Sequence, residues 1–464
     1  MPVEYGKPLG VRGTDIPGLL VLDLPVHGDA RGWFKENWQR AKMVAAGLPD
    51  FAPVQNNVSF NGKVGTTRGI HAEPWDKLVS VGSGRVFGAW VDLRPGESFG
   101  TLVTIELDPS VSVFVPRGVG NAFQTLEPDT VYSYLVNDHW SADAEYTFVN
   151  LADETVAVPW PVPLSEAELS DKDRAHPRLA DVVPMAPRRT LVLGAGGQLG
   201  TALRAVLPDA DFRTRAEFDL TDPAAYGSVR WKDYGAVVNA AAYTKVDAAE
   251  TPEGRVAAWR ANVTGVGLLA RAAAENGLTL VHVSSDYVFD GTADGHPEDE
   301  PFSPLGVYGQ TKAAGDALVA TVPRHCIVRT SWVIGEGANF VRTMASLAER
   351  GVAPSVVDDQ IGRLSFADDI AAGIAHLLSA EAPSGVYNLS NEGPAMSWAA
   401  IAARVYELTG HDPAAVTGVS TAEYFAGKQA APRPLNSVLP LDKLRATGFV
   451  PRDADAALRA YLGA

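Results

Sequence analysis

Cysteine is nearly absent from the sequence, since Cys326 is the one cysteine among 464 residues. A lone thiol cannot form an internal disulfide, so the composition favours a reducing compartment, the cytoplasm. The opening MPVEYGKPLG lacks the pattern of a signal peptide, and no apolar run is long enough to span a membrane, so we expect no membrane partner. Basic residues are few, 39 Lys and Arg against 55 Asp and Glu, so we expect no nucleic-acid partner.

The length predicts two or three domains, and the pattern of residues changes along the chain. Short runs rich in β-branched and aromatic residues fill residues 18–161 and predict an all-β sandwich or barrel. From Arg189 onward, apolar strands alternate with helical patterns, which predicts parallel βαβ units and a doubly wound sheet. Between them lies a stretch rich in proline and charge. We therefore expect one domain over residues 1–187 and a second over residues 188–464.

Three glycines, Gly194, Gly197 and Gly200, follow the apolar strand TLVL in the segment GAGGQLG. Glycines at this spacing let the chain turn tightly and bring backbone N–H groups against a pyrophosphate at the start of a helix. The alternative is a turn that serves packing alone. The context of a strand before and a helix after favours a dinucleotide site that also includes Gln198 and Leu199.

A tyrosine and a lysine, Tyr308 and Lys312, stand one helical turn apart in YGQTK. A phenol can protonate an alkoxide, and a cationic lysine nearby would lower the phenol's pKa from its ordinary value of about 10. Ser285 would hydrogen-bond the same carbonyl oxygen. This spacing also occurs by chance, but here it follows a glycine-rich turn and a strand that ends in SSD. The order of these features predicts a reductase that uses hydride transfer.

Seven motifs of the second half carry a family resemblance: GAGGQLG, VVNAAAYTKVDAAE, SSDYVFDG, YGQTK, VRTSWVIGEGANFV, VDDQIGR and RPLNS. Together they resemble dTDP-4-dehydrorhamnose reductase, an extended short-chain dehydrogenase, over essentially all of residues 189–464. The resemblance implies a Rossmann-type domain that binds NADPH or NADH, and a smaller lobe for a dTDP-4-keto-6-deoxy sugar. It also implies a possible Mg²⁺ ion, for which we assign no ligands.

The same resemblance implies roles for individual residues, with Ser285, Tyr308 and Lys312 as the catalytic set. The other residues it implies are Asn239, Ala241 and Tyr243 at the cofactor, and Asp286, Trp332 and Arg433 at the substrate. The family's DQxGxPT motif reads DQIGRLS here, so Arg363 and Leu364 depart from it and put the local shape of the pocket in doubt.

The choice between NADPH and NADH stays open at the sequence level. Asp219 follows the second predicted strand and either contacts the adenosine or lies in an exposed acidic turn. Arg213 and Arg215, near the end of that strand, are candidates to bind a 2′-phosphate.

In the first half, six ionisable residues concentrate near strand-like segments: Arg31, Glu36, Arg68, His71, Lys77 and Asp92. Such a set can bind an anionic substrate and move protons, and the alternative is a structural histidine among solvated cations. The motifs RGIH, KLV and LSDKD resemble dTDP-4-dehydrorhamnose 3,5-epimerase, a cupin-type β-sandwich that dimerises, over about residues 18–182.

This second resemblance implies proton abstraction beside a 4-ketone by His71, oriented by Asp173. Lys77 and Arg68 would stabilise the enolate by their charge, and a tyrosine would return a proton from the opposite face. The substrate contacts that we expect in this domain are Arg31, Glu36, Arg68 and Tyr134.

Two positions depart from the epimerase pattern. Trp140 stands where the second tyrosine of the family's pair is found, and an indole N–H is too weak an acid to deliver a proton at neutral pH. Asn121 stands where a histidine is usual. Water or Tyr134 would then supply the proton, or the epimerisation would change to one centre, or the domain would be a degenerate binding module.

The sequence thus predicts a cytoplasmic, bifunctional enzyme of dTDP-L-rhamnose synthesis that dimerises through its first domain. That domain would epimerise dTDP-4-dehydro-6-deoxy-D-glucose, and the second would reduce the product with NADPH or NADH. One alternative keeps the reductase but makes the first domain a non-catalytic or single-centre binding or dimerisation module. Another is a regulatory or scaffold protein with a vestigial nucleotide fold.

Overall fold

The computed structural model describes residues 4–141 and 144–464 of the chain. The chain divides into two compact units, Met1–Pro187 and Arg188–Ala464. None of the helices in these described ranges combines the length and the hydropathy that a membrane span requires.

Antiparallel strands build the first unit. They are β1 (Gly10–Gly13), β2 (Leu20–Asp23), β3 (Val26–Asp29), β4 (Gly32–Lys35), β5 (Gln55–Asn61), β6 (Thr67–Ala72), β7 (Lys77–Ser83), β8 (Val86–Asp92), β9 (Leu102–Leu107), β10 (Val111–Val115), β11 (Val119–Thr125), β12 (Thr130–Val136) and β13 (Thr147–Phe148). Two short helices, α1 (Arg40–Ala45) and α2 (Asp171–Arg174), and a 3₁₀ turn (Leu179–Asp181) accompany them.

These strands form two large sheets, with the orders β1-β2-β10-β7-β12-β5 and β13-β6-β11-β8-β9. Val79 of the first sheet and Trp90 of the second are fully buried in one shared cluster, so the two sheets pack face to face as a sandwich. Both faces of β7 are buried along KLVSV, because the sheet core covers one face and the remaining chain covers the other. The predicted all-β sandwich is confirmed.

Parallel strands and helices build the second unit. The strands are β14 (Arg189–Leu193), β15 (Asp211–Arg213), β16 (Tyr234–Asn239), β17 (Thr279–Ser285), β18 (His325–Thr330), β19 (Val333–Ile334), β20 (Ser355–Val357), β21 (Ile361–Gly362), β22 (Ser365–Phe366), β23 (Gly385–Asn388), β24 (Met396–Ser397) and β25 (Thr417–Val419). The helices are α3 (Gln198–Val206), α4 (Pro223–Gly227), α5 (Pro252–Trp259), α6 (Val266–Glu275), α7 (Val307–Val319), α8 (Phe340–Glu349), α9 (Ala367–Ser379), α10 (Trp398–Leu408), α11 (Thr421–Tyr424), α12 (Asp442–Arg445) and α13 (Ala454–Leu462). A π-helical segment (Arg260–Gly265) joins α5 to α6, and 3₁₀ turns lie at Trp231–Asp233, Ala248–Glu250, Asp286–Val288 and Pro413–Ala415.

Six of these strands form one parallel sheet in the order β15-β14-β16-β17-β18-β23. The strand order reverses beside β14, and a crevice at such a reversal is where doubly wound sheets bind ligands. Separate apolar clusters cover the two faces of this sheet, which explains why β14 is an unbroken apolar run rather than an alternating one. A third cluster joins α8, α10 and α13 into a smaller lobe. The predicted Rossmann-type fold is confirmed.

The turn between β14 and α3 is held by the close approach of its own backbone. A Cβ atom added at Gly200 would lie 2.3 Å from the carbonyl oxygen of Gly194 and 2.7 Å from the Cα atom of Ala195. Gly194 has a φ of +85°, in the region that side chains rarely adopt. This turn therefore requires glycine at these two positions.

We expect Gly200→Ala to destabilise the second unit by about 1–3 kcal/mol, because backbone atoms must move to admit the methyl group. Gly196→Ala is the matched control, since a Cβ there would meet nothing within 4 Å. The measurement is native-state amide hydrogen exchange, read by mass spectrometry on peptides from β14 and α3. Equal protection in the two variants would contradict the close-approach argument.

Candidate active sites

A cavity of about 760 Å³ opens in the first unit, and strands of both sheets line it. His71 comes from β6, Lys77 from β7 and Tyr134 from β12. The segment after residue 161 folds back over the cavity, where Thr66 pairs with Glu168 and α2 presents Asp173. The stretch rich in proline and charge is therefore part of this unit rather than a solvated linker.

His71 and Asp173 form a hydrogen-bonded pair, with 2.9 Å between His71 Nε2 and Asp173 Oδ1. Burial works to raise the pKa of Asp173, but hydrogen bonds from His71 and from Ser170, which caps α2, outweigh it and hold that pKa below its usual value. The carboxylate therefore stays ionised and accepts the proton of Nε2. This tautomer leaves the lone pair of His71 on Nδ1, as a general base requires.

A second buried imidazole, His176, lies beside this pair. Its ring meets the His71 ring edge-on at 5.3 Å and stacks on Phe148 at 4.6 Å. Burial, then the charge of His71, lowers the pKa of His176, so it is a neutral ring. The sequence analysis did not single out His176, although its position three residues after Asp173 was a signal.

His71, Asp173 and His176 bring metal-ligand atoms within 4.8 Å of one another. Two imidazoles and one carboxylate do not match the oxygen ligands that Mg²⁺ prefers. Within residues 4–141 and 144–464, no other such group of His, Cys, Asp and Glu occurs. The Mg²⁺ ion implied by the reductase resemblance therefore stays a prediction.

Lys77 and Arg68 contribute positive charge to the wall of the cavity. Lys77 is almost fully buried, and its Nζ lies 3.0 Å from Glu73 Oε2 and 5.7 Å from the centre of the Tyr134 ring. Arg68 donates from Nε to Asn61 Oδ1 over 3.2 Å. Glu73, missed at the sequence level, directly follows β6 and also lines the cavity. The carboxylate holds Lys77 in place beside the phenol.

The structure separates the two positions of the expected tyrosine pair. Tyr134 lines the cavity, and burial raises the pKa of its phenol, which therefore stays protonated. Trp140 is 65% exposed and is not among the residues that line the cavity. The tryptophan therefore does not deprive the cavity of a phenol, and the geometry favours Tyr134 among the substitutes considered from the sequence.

Asn121 lies directly opposite His71 in the pairing of β11 with β6. Its Oδ1 accepts a hydrogen bond of 3.0 Å from the hydroxyl of Tyr132, a second phenol that lines the cavity. The amide therefore has a defined partner, and its role here is to hold Tyr132 rather than to carry a proton.

Arg31 and Glu36 lie outside this cavity in the single chain. Arg31, at the turn between β3 and β4, is 90% exposed in its side chain and pairs with Asp29. Glu36 follows β4 and pairs with Lys42 at 2.6 Å. The chain by itself does not bring these two residues to His71, so their substrate role stays a prediction.

In the second unit, the glycine-rich turn has the form that a dinucleotide requires. A Cβ at Gly194 would lie 2.6 Å from the backbone nitrogen of Ala241, so only hydrogen fits there. Gly197 precedes the first residue of α3, Gln198, and no side chain caps the helix. Gln198 donates to the carbonyl of Ala338, and Leu199 is buried. These residues fit a pyrophosphate held by backbone N–H groups.

Three charged residues follow this turn at the end of β15. The carbonyl of Arg213 accepts N–H groups from Gly194 and Ala195, both at 3.1 Å. Asp219 accepts the backbone N–H and the hydroxyl of Thr221, which hold its pKa below the usual value. Arg215 lies 3.7 Å from Asp219 and is 87% exposed in its side chain. The backbone of Arg213 therefore contacts the glycine-rich turn, and Arg215 lies two residues further along the chain.

Asn239 is buried at the end of β16, and its Oδ1 accepts the backbone N–H of Ala241 at 3.2 Å. The backbone of Tyr243 exchanges two hydrogen bonds with the side chain of Asn262, at 2.8 and 3.1 Å. Asn262, in the π-helical segment, also donates to Thr311 of α7. Sequence reasoning missed Asn262, which ties the cofactor loop to the helix of Tyr308.

Tyr308 and Ser285 lie together beside Asp286. Burial raises the pKa of Tyr308 to about 12, the charge of Asp286 adds to this, and a hydrogen bond with Ser285 opposes it. Burial also raises the pKa of Asp286 to about 6, and Ser285 donates to its Oδ1 at 2.9 Å. The Tyr287 ring packs edge-on against Tyr308 at 5.4 Å. The phenol is therefore protonated throughout the physiological range.

Lys312 does not act on Tyr308 as the sequence analysis expected. Its Nζ donates to the carbonyl of Val283 at 2.7 Å and lies 3.2 Å from His282 Nε2. Burial lowers the pKa of this lysine to about 8. The expectation that an ammonium lowers the pKa of the phenol is wrong for this conformation, because buried partners on β17 hold the amine.

The remaining substrate positions lie at the edge of the smaller lobe and near Tyr287. Trp332 stacks on Trp398 with ring centres 3.8 Å apart. One terminal nitrogen of Arg433 donates to both carboxylate oxygens of Asp247, at 2.8 and 2.9 Å, and the guanidinium lies over the Phe425 ring. An incoming phosphate would compete with Asp247, another residue that the sequence analysis missed.

The two positions that depart from the reductase motif have structural partners. Arg363 donates to the carbonyls of Gly393 and Leu439, and Leu364 is buried in the core of the smaller lobe. Both side chains therefore support the lobe from within.

Comparison with known proteins agrees with this geometry. A family model described as RmlD substrate binding domain matches residues 188–464. A second, described as dTDP-4-dehydrorhamnose 3,5-epimerase, matches residues 13–181.

Among curated proteins, the chain is 50% identical over 192 residues to the RmlC homolog protein of Streptococcus pyogenes serotype M6, which covers 40% of this chain and 96% of that protein. It is 39% identical over 277 residues to the dTDP-4-dehydrorhamnose reductase of Mycobacterium tuberculosis, which covers 57% of this chain and 88% of that protein. A crystal structure of the Bacillus anthracis dTDP-4-dehydrorhamnose reductase in complex with NADP covers 60% of this chain and 98% of that chain, with 32% identity and a TM-score of 0.55. The chain therefore belongs to the dTDP-4-dehydrorhamnose reductase family, and it carries a dTDP-4-dehydrorhamnose 3,5-epimerase domain ahead of its reductase domain.

Proposed function

We propose that this chain catalyses two consecutive steps of dTDP-L-rhamnose synthesis. The first unit epimerises dTDP-4-dehydro-6-deoxy-D-glucose at the two carbons beside its ketone, and the second reduces the ketone of the product. The observation that carries this proposal is that each unit holds its own proton-transfer groups. The His71–Asp173 pair lies in one cavity with Tyr134, and Tyr308 lies beside Ser285 in the other unit.

In the first reaction, His71 Nδ1 takes the proton from the carbon next to the ketone. The electron pair of the broken C–H bond forms a carbon–carbon double bond, and the π pair of the carbonyl moves to the ketone oxygen. Lys77 and Arg68 stabilise the enolate charge. Tyr134, whose phenol is protonated, returns a proton to the opposite face of the carbon. Asp173 balances the charge that His71 gains, because it remains a carboxylate.

In the second reaction, the nicotinamide of the bound cofactor supplies the hydride. The carbonyl oxygen that receives the electron pair becomes an alkoxide, and Tyr308 gives it a proton. A pKa of about 12 suits this role, because the phenol is protonated at neutral pH yet still acidic enough to protonate an alkoxide. Ser285 orients the same oxygen by a hydrogen bond.

We infer NADPH rather than NADH as the preferred cofactor. Arg213 is the last residue of β15 and contacts the glycine-rich turn through its backbone, and Arg215 follows it. Guanidinium groups recognise a 2′-phosphate. The related Bacillus anthracis reductase crystallised in complex with NADP. A cytoplasmic location stays a prediction from the scarcity of cysteine.

A homodimer through the first unit is part of the proposal. β5 is the edge strand of its sheet, yet Val58 and Phe60 on it are each 64% exposed. An exposed apolar edge strand is a surface for pairing with another chain. Phe60 also lines the cavity of His71, so a partner at this edge would complete that site. The exposed Arg31 turn is then free to reach the cavity of a second copy.

Tyr308→Phe is expected to lower kcat for reduction by about 10²–10⁴-fold, because the proton donor is lost while the ring remains. NADPH oxidation at 340 nm measures it, with the epimerised keto sugar as substrate. Deuterium uptake from heavy water by the same variant should be unchanged, which serves as its control. Reduction at the wild-type rate would contradict the assignment of Tyr308.

His71→Gln is expected to abolish deuterium incorporation from heavy water into dTDP-4-dehydro-6-deoxy-D-glucose, since no base remains beside the ketone. Asp173→Asn should slow it by about 10²-fold or more, because the tautomer of His71 is then no longer fixed. Mass spectrometry of the sugar nucleotide gives the rate. Wild-type protein that exchanges no hydrogen would show the first unit to be a binding module instead.

Phe60→Glu is expected to convert the dimer to a monomer, since a charge replaces an apolar contact at the edge of β5. Val450→Glu, at an apolar residue 81% exposed in the other unit, is the matched control. Analytical ultracentrifugation gives the mass. A wild-type monomer, or a Phe60→Glu dimer, would exclude this interface.

A further inference from the structure

The reductase unit buries one imidazole that neither the sequence motifs nor the proposed reaction uses. His282 lies on β17 and is 1% exposed. Its Nδ1 is 3.0 Å from the side-chain nitrogen of Asn239, and its Nε2 is 3.2 Å from Lys312 Nζ. Both of these partners belong to the proposed cofactor and catalytic sets.

The protonation of His282 follows from the orientation of Asn239. The backbone N–H of Ala241 can only donate, and it meets Asn239 Oδ1 at 3.2 Å. The NH₂ end of the amide therefore faces His282, and Nδ1 of the imidazole accepts its hydrogen bond. A neutral imidazole carries one proton, so that proton is on Nε2. Burial lowers the pKa of His282 well below its ordinary value, which excludes a second proton.

The N–H on Nε2 points at Lys312 Nζ. Two donors that face each other repel, so this contact is favourable only when Nζ offers a lone pair, which is the neutral amine. The same nitrogen still donates a hydrogen to the carbonyl of Val283 at 2.7 Å. The carbonyl of Val283 accepts from an amine or an ammonium, so the N–H of His282 is the contact that disfavours the ammonium.

The other charged groups around Lys312 either favour its ammonium form or are already paired. Asp316, one turn further along α7, favours the charged lysine, but burial outweighs it. Asp316 itself pairs with Arg329 of β18 at 3.2 Å. Glu250 faces α7 at the backbone of Val307, and Asp286 acts on Tyr308.

We propose that His282 is a positioning residue of the reductase, which presents an N–H to Lys312 and thereby stabilises the inward-pointing amine relative to the ammonium. Asn239 fixes the tautomer that makes this possible. The side-chain amide of Asn239 cannot relay a proton. The contacts from Lys312 through His282 to Asn239 therefore set the protonation state of the lysine and do not conduct protons. This inference rests on the proposed reductase function.

The test is an NMR titration of lysine side chains labelled at Cε and Nζ, in which the Lys312 signal is the one missing from Lys312→Met. The wild-type signal should titrate near pH 8. In His282→Gln, whose amide oxygen can accept from an ammonium, the midpoint should rise by about 1 pH unit or more toward the ordinary value of about 10.4. The alkaline limb of the kcat profile for reduction should move with it.

His325→Gln on the neighbouring strand is the matched control and should leave the midpoint near 8, because His325 bonds to the carbonyl of Val322 instead. A wild-type midpoint at or above 10 overturns the proposal, and this measurement does not depend on a variant that folds. A His282→Gln midpoint that stays near 8 overturns it as well. An active reductase with either result leaves the proposed function intact. An inactive wild-type enzyme with the expected NMR shift rejects the function alone.

Discussion

Removal of water from a few ionisable side chains determines which of them hold protons, and both proposed reactions depend on that. Asp173 and Asp286 are both buried carboxylates, but Asp173 has the donors His71 and Ser170 and keeps a low pKa. Asp286 has too few donors to offset its burial, and its pKa rises to about 6. The same loss of water raises the pKa of Tyr308 and lowers that of Lys312. Hydrogen-bond donors therefore keep an anion in one site against the effect of burial, and burial keeps a phenol protonated in the other.

The two folds bring these groups together in different ways. In the parallel sheet, the carboxyl ends of β14, β16 and β17 meet at one edge, so Gly194, Asn239 and Ser285 are neighbours although they are far apart in sequence. In the sandwich, His71 and Lys77 come from strands of opposite sheets, and the cavity forms between them. A segment after the last strand then adds Asp173. In each unit, the sheets thus form a rigid frame for the site, and loops or short helices add one or two further residues.

Much of this arrangement could be predicted from local signals in the sequence. The glycines of the turn, the TLVL strand and the YxxxK spacing of Tyr308 and Lys312 reflect constraints between residues near one another along the chain. The position of the Lys312 amine could not be predicted, because it depends on His282 and Val283 of a different element. Glu73 and His176 were missed for a similar reason, since their neighbours are set by how the two sheets and α2 pack. The exposure of Arg31 and Trp140 is also a property of the folded chain, which no local motif encodes.

The central claim is that one chain first exchanges hydrogens beside a ketone and then reduces that ketone. The most direct measurement incubates the full-length protein with dTDP-4-dehydro-6-deoxy-D-glucose and unlabelled NADPH in heavy water, and maps the label in the product by NMR. The account predicts dTDP-L-rhamnose with deuterium at carbons 3 and 5 and ordinary hydrogen at carbon 4. Unchanged NADPH, or a reduced sugar that carries no deuterium at carbons 3 and 5, would contradict it.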